Sequence, residues 1–194
     1  KTAMEKYFGE GSYPLFASKA FSCKYIYRIA KEENVGIDLV SSGELYTALS
    51  AGFDVSNAFL HGNNKTDADI AFAIESGVGH FVADNLTEID MIDEIARKYG
   101  KIQPIILRLS PGIDPHTHAA ITTGQVDSKF GIAIETGQAD NAVEYTLNKK
   151  NLRLDGFHCH IGSQIFDIKP FCDAGKLMIE YVTHVKQKFG YDTE

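Results

Sequence analysis

The chain has 194 residues, 44% of them hydrophobic and 23% charged, with 17 Gly, 5 Pro and no Trp, the profile of one soluble globular domain rather than a disordered, collagenous or disulfide-scaffold chain. The net charge of −7 offers no basic field to a phosphate backbone and argues against a nucleic-acid partner. No apolar run approaches the roughly 18–20 residues that span a bilayer, and the opening KTAMEKYFGEGSYP lacks the apolar stretch of a secretory signal, so a cytoplasmic location without membrane contact is expected.

Short apolar runs recur along the chain, each followed by a segment with helical spacing. They are Leu15 to Ser18, Ile37 to Val40, Ala58 to His61, His80 to Ala83, Ile105 to Leu109 and Leu154 to His160. None alternates cleanly between apolar and polar residues, so they read as strands buried on both faces, as in a parallel sheet. The first five begin 22, 21, 22 and 25 residues apart, about the length of a strand, a helix and two loops. That is a βα repeat.

The helices carry start signals of their own. Ser41-Ser42-Gly43-Glu44, Thr66-Asp67-Ala68-Asp69 and Asn85-Leu86-Thr87-Glu88 each set a capping side chain three residues before a carboxylate. Ile89, Ile92, Ile95, Ala96 and Tyr99 mark one helix face, and Leu177, Met178, Tyr181, Val182, Val185 and Phe189 mark another. Gly52, Gly77 and Gly100 stand where helices should stop. Between Ser110 and Gly137 the repeat is interrupted by PGIDPHTHAAITTGQVDSKFGIAIET, too long for an ordinary βα connection and typical of a segment that serves a site or interface. No linker or domain boundary is evident. The pattern fits either an open doubly wound sheet or a (β/α)₈ barrel, and periodicity does not choose between them.

In parallel α/β folds the ligand sits beyond the carboxyl ends of the strands. The residues expected there are Lys19, Asp38, Glu44, His61, Asn63, Asp84, Arg108, His158, His160 and Ser163. Eight of the ten are ionisable, which suits an active site better than a structural rim. Lys19 ends a run of small and apolar residues, where desolvation of its ammonium would make it a candidate for carbonyl addition; the plainer reading is a solvent-facing lysine opening a loop. Arg108 reads as a clamp for a carboxylate or an ion-pair partner. Glu44 reads equally as a capping residue or a catalytic one. His158 and His160 share parity on a strand, but no third ligand is near them in sequence, and His116 and His118 in the long segment carry no stronger signal, so no metal is expected. Cys23, Cys159 and Cys172 match neither a disulfide framework nor a zinc site, which suits a reducing compartment. GEGSY lacks the spacing of a dinucleotide fingerprint, so a nicotinamide cofactor is not expected.

Taken together, FASKAF, IDLVSSGELYTALSAGF, FLHGNNKTDADI, LRLSPGID, HTHAAITTG, SKFGI and GFHCHIGSQIFD resemble, in order and spacing from about Tyr13 to Phe171, the diaminopimelate decarboxylase branch of the pyridoxal phosphate-dependent decarboxylases. The resemblance implies the alanine-racemase-like (β/α)₈ barrel, with about six of its eight βα units present and residues 1–194 forming one partial pyridoxal phosphate-binding domain. It implies pyridoxal 5'-phosphate as cofactor and Lys19 as the lysine that forms the internal aldimine with it. His160 matches the histidine that stacks on the pyridine ring, Ser163 the serine near the phosphate, Arg108 the arginine beneath the cofactor, and Asp38 the residue at the cofactor's lysine end. Glu44 borders the same pocket; Asn63 and Lys129 fall in matching motifs without an assigned contact.

The implied reaction is decarboxylation of meso-2,6-diaminopimelate to L-lysine and CO2. The alternatives are a related decarboxylase of arginine, ornithine or carboxynorspermidine, or a non-catalytic homologue that binds the cofactor. The sequence departs from the family at Phe16, often tyrosine there, at Phe21, often asparagine, and at Ser42-Gly43, often Gly-Gly; Ser42 is tolerable if its backbone is not left-handed. The family's later GEPGR-type and CESxD-type segments and its C-terminal β-domain have no counterpart in these residues. The expectation is therefore a piece of a longer, homodimeric enzyme, inactive by itself.

Overall fold

A computed structural model of the chain describes residues 1–112 and 130–192. Lys129, His116 and His118 lie outside the described residues. The chain divides into two compact units, Lys1–Phe81 and Val82–Glu194.

The first unit runs α1 (Thr2–Phe8), β1 (Leu15–Ala17), a 3₁₀ turn (Ser18–Ala20), α2 (Lys24–Glu32), β2 (Gly36–Leu39), α3 (Ser42–Ser50), β3 (Ala58–Leu60) and α4 (Asp67–Ser76), and its boundary at Phe81 falls within β4 (His80–Ala83). Neighbouring strands pair in parallel, with Phe16 opposite Ile37, Asp38 opposite Phe59 and Leu60 opposite Phe81. Ile37, Leu39, Leu45, Ile70, Ile74 and Phe81 are fully buried, each contributing about 1.5–3 kcal/mol of transfer free energy on the usual area scale.

The expected start signals are used as caps. Ser41 Oγ accepts from the Glu44 N–H at 3.2 Å, and Thr66 with Asp69 closes a reciprocal capping box. Gly77 ends α4 in the left-handed conformation at φ 80°, where a Cβ would be strained. Ser42, by contrast, opens α3 and is absent from the non-glycine residues at positive φ, Asn34 and Gln164. Replacing the family's glycine there carries no backbone penalty.

The second unit contains α5 (Leu86–Lys98), β5 (Gln103–Ser110), β6 (Ile132–Ala133), α6 (Gln138–Leu147), β7 (Leu152–Cys159) and α7 (Lys169–Phe189). β5 pairs in parallel with β7 from Gln103–Leu152 to Leu109–Cys159, with a bulge that skips Asp155. On its other edge β5 pairs with β6 through Leu109–Ile132 and Ser110–Ala133. Two residues carry too little pattern to announce β6, and it was not expected within the long interruption. Asn85 caps α5 as anticipated, accepting from the Glu88 N–H at 2.9 Å, and Ile89, Ile92, Ile95 and Ala96 are buried, whereas Tyr99 is exposed. α7 packs on β7 through the edge of Tyr181 against Phe157, ring centroids 5.3 Å apart.

Candidate active site

Each unit presents polar side chains at the carboxyl ends of its strands. In the first unit Lys19 sits in the 3₁₀ turn that follows β1, closed by the Phe21 N–H donating to the Ser18 carbonyl at 3.1 Å. Its side chain is exposed, which corrects the expected desolvation: Leu15 before it is itself exposed and Phe16 and Ala17 are only half-buried, so the run offers no apolar enclosure, and the turn carries the lysine outward. Its neighbour Ser18 is fully buried. The Ser18 hydroxyl donates to the backbone carbonyl of Asp38 and lies 3.3 Å from Glu44 Oε2.

Glu44 Oε2 also accepts the Val40 N–H at 2.6 Å. Of the two readings open for Glu44, the side chain is thus engaged in the brace between the end of β2, the start of α3 and Ser18. Asp38, at the end of β2, pairs with His61 after β3, Oδ1 to Nε2 3.1 Å, with the side chains 25% and 11% exposed. Asn63 is exposed in the following loop, and the buried Lys65 donates to the Gly62 carbonyl at 2.7 Å, holding its own loop.

In the second unit the corresponding ends carry Asp84, Arg108, His158, His160 and Ser163. Asp84 is buried; its Oδ1 accepts the Gly131 N–H at 3.2 Å and lies 3.7 Å from Arg108 Nε. Glu88 Oε2 takes the Asp84 N–H at 3.0 Å, repeating the arrangement of Glu44 on Val40. The Arg108 guanidinium lies 4.5 Å from the centre of the Phe130 ring, an arginine–aromatic contact that orients the planar fork. Gly131, at φ 81°, brings its backbone so close to β5 that a Cβ would stand 3.3 Å from Arg108 O, Leu109 C and Ser110 N.

His158 is half-buried within β7. His160 and Ser163 are exposed beyond its end, and His160 Nδ1 accepts the Gly162 N–H at 3.0 Å, which leaves Nε2 to carry the proton of the neutral ring. Burial pushes the Cys159 thiol up, against the downward pull of Arg108, so it is no activated nucleophile. Among the described residues no group of three or more His, Cys, Asp or Glu could hold a metal ion, and no helix is long and apolar enough to cross a membrane.

The first unit offers a solvent-reachable primary amine on a braced turn, a group able to react with an aldehyde; the second offers a guanidinium held by an aromatic ring and a carboxylate, and an exposed imidazole, groups that suit anionic oxygens. Sequence reasoning missed Ser18, Phe130 and Gly131. The one available signal was the small polar residue directly before Lys19; the other two act through contacts between segments distant along the chain.

Comparison with known proteins agrees with this chemistry. The family model described as pyridoxal-dependent decarboxylase, pyridoxal binding domain, matches residues 1–194. A diaminopimelate decarboxylase of Staphylococcus aureus is 45% identical over 167 residues, 86% of this chain and 39% of the relative. One of Mycobacterium bovis is 41% identical over 183 residues, 94% of this chain and 41% of the relative. The chain thus spans about two-fifths of these relatives. The crystal structure of diaminopimelate decarboxylase from M. jannaschii in co-complex with L-lysine superposes with a TM-score of 0.90 at 31% identity, covering 100% of this chain and 44% of that one. The partial α/β barrel expected from the sequence is the fold these matches share.

Proposed function

The chain belongs to the pyridoxal-dependent decarboxylases through their pyridoxal-binding domain, and from that premise we propose that it supplies the cofactor-binding part of a longer diaminopimelate decarboxylase. The observation that carries the reading is the exposed amine of Lys19 held on a braced turn at the end of β1. Pyridoxal phosphate, when bound, supplies an aldehyde carbon and a ring that accepts the electron pair released as CO2 leaves.

The chain's own residues do the rest. Lys19 would hold the cofactor through its primary amine, and that amine, when free, would be placed to move a proton at the substrate carbon. Arg108, oriented against Phe130 and charge-balanced by Asp84, would offer its fork to the phenolic oxygen. By the family resemblance, His160 would stack on the pyridine ring and Ser163 would lie near the phosphate. Asp38, paired with His61, would lie at the cofactor's lysine end. Glu44 would border the pocket on the Lys19 side through its brace on the backbone, and Asn63 and Lys129 enter the proposal only by falling in matching motifs.

The substrate in this reading is meso-2,6-diaminopimelate and the product L-lysine. Support comes from the identity to diaminopimelate decarboxylases over most of this chain and from the lysine-bound structure it resembles. A cytoplasmic homodimer in lysine biosynthesis completes the proposal. The test is CO2 release by the full-length protein from meso-diaminopimelate, arginine, ornithine and carboxynorspermidine, with sizing of the enzyme in solution. Release from diaminopimelate with lysine as product is expected; release from one of the other three alone would replace the assignment.

A further inference from the structure

We propose that Ser18 is a positioning residue for Lys19, holding the lysine-bearing turn in register for bond formation with the cofactor; the inference rests on the assignment of Lys19 made above. Lys19, Ala20 and Phe21 are all exposed, and Ser18 is the one buried residue of the 3₁₀ turn. The turn therefore has a single anchor. Ser18 holds it twice, its carbonyl taking the Phe21 N–H at 3.1 Å to close the turn, and its hydroxyl tying it to β2 through the Asp38 carbonyl.

Glu44 completes the brace. Its Oε2 lies 3.3 Å from Ser18 Oγ and takes the Val40 N–H at 2.6 Å, while the Glu44 N–H is capped by Ser41 Oγ. One hydroxyl proton thus joins the lysine turn, the end of β2 and the first turn of α3. An alanine at position 18 would keep the packing and remove only this tie.

The need for such a tie follows from the side chain it serves. Lysine has four rotatable side-chain bonds, so the approach of its nitrogen depends on where its Cα is held. In the step concerned, the unprotonated amine adds to the aldehyde carbon, one water leaves and a C=N bond forms. Misplacement of a reacting group by about 1 Å can slow such a reaction a hundredfold. Loss of a tether that still leaves the turn closed by its backbone bond should cost less, about tenfold.

The experiment uses full-length apoenzyme and pyridoxal phosphate. Covalent capture at Lys19 is followed by borohydride reduction and peptide mass analysis, and non-covalent affinity by equilibrium dialysis in the Lys19→Ala background. Ser18→Ala should slow capture about tenfold, Ser18→Cys should fall between Ala and Ser, and the affinity of Lys19→Ala should be the same with Ser or Ala at position 18. Capture by Ser18→Ala within twofold of the parent overturns the proposal. So does an affinity loss in the double variant, which would mean that Ser18 shapes the pocket rather than the lysine. Should Ser18→Ala not fold, Ser18→Cys decides alone, a parental capture rate refuting and a slower one supporting. Absence of any capture at Lys19 in the parent would instead remove the assignment of Lys19 itself.

Discussion

Asp140, in the first turn of α6, accepts from three side chains of α7: Tyr181 Oη at 3.0 Å, His184 Nε2 at 2.9 Å and Lys188 Nζ at 2.7 Å. These contacts fix α7, whose Tyr181 packs on Phe157 of β7, the strand that leads to His158 and His160. The perturbation to make is Asp140→Ala. Tyr181 is 5% exposed, and a buried hydroxyl left without its acceptor costs about 1–3 kcal/mol. The His184 and Lys188 side chains are 47% and 50% exposed, so solvent screening leaves them about 0–1 kcal/mol each. Asp140→Ala should therefore destabilise by about 2–3 kcal/mol.

Urea unfolding followed by tyrosine fluorescence is the assay, since the chain has nine Tyr and no Trp. Tyr181→Phe removes the hydroxyl but leaves Asp140 two donors, and should cost about 1 kcal/mol. In the double variant the buried orphan is gone, so the two costs should not add, with a coupling of about 1 kcal/mol. The pH dependence has a definite sign. Burial alone pushes the Asp140 carboxyl up, but the hydrogen bonds from Lys188, His184 and Tyr181 outweigh it and hold the group below its usual range. A carboxyl depressed in the folded state contributes stability that is complete above its unfolded value, about 3.9, and is lost as the pH falls through the folded value. The difference between parent and Asp140→Ala should accordingly shrink below about pH 4. Additive costs, or a difference that grows on acidification, would refute this account of how α6 holds α7.

Lys19→Ala in the full-length enzyme should abolish turnover while the protein still unfolds at the parental urea concentration, because the exposed side chain supplies chemistry and no packing; appreciable residual CO2 release would contradict its role. Gly131→Ala should destabilise by about 1–3 kcal/mol, since the residue stands at φ 81° with β5 backbone 3.3 Å from the new Cβ; an unchanged urea midpoint would count against that close approach. The 194 residues alone should lose pyridoxal phosphate on dialysis, because the glycine-rich phosphate cradle expected from the family resemblance lies outside them; a cofactor absorption band that survives dialysis would overturn this.

The order of strands and helices was legible because each carries a local signal. The runs at Ile37 and His80 are mostly apolar and do not alternate, the caps at Ser41, Thr66 and Asn85 mark the helix starts, and Gly77 supplies the left-handed stop. Backbone hydrogen bonding and burial enforce these signals over a few residues. The motifs FASKAF, GNNKT and HCHIGS likewise named Lys19, Asn63 and His160 as candidates before any geometry was known. What the sequence could not state was which groups meet across distance. β6 is too short to have a period, and it exists because β5 offers it an edge. Lys19 follows an apolar run, yet the turn after β1 turns it outward while Ser18 goes in. The meeting of Ser18 with Glu44, of Asp38 with His61, and of Arg108 with Asp84 and Phe130 depends on strand register and loop return. Those are properties of the folded chain, because contacts between residues tens of positions apart form only once the intervening backbone is fixed.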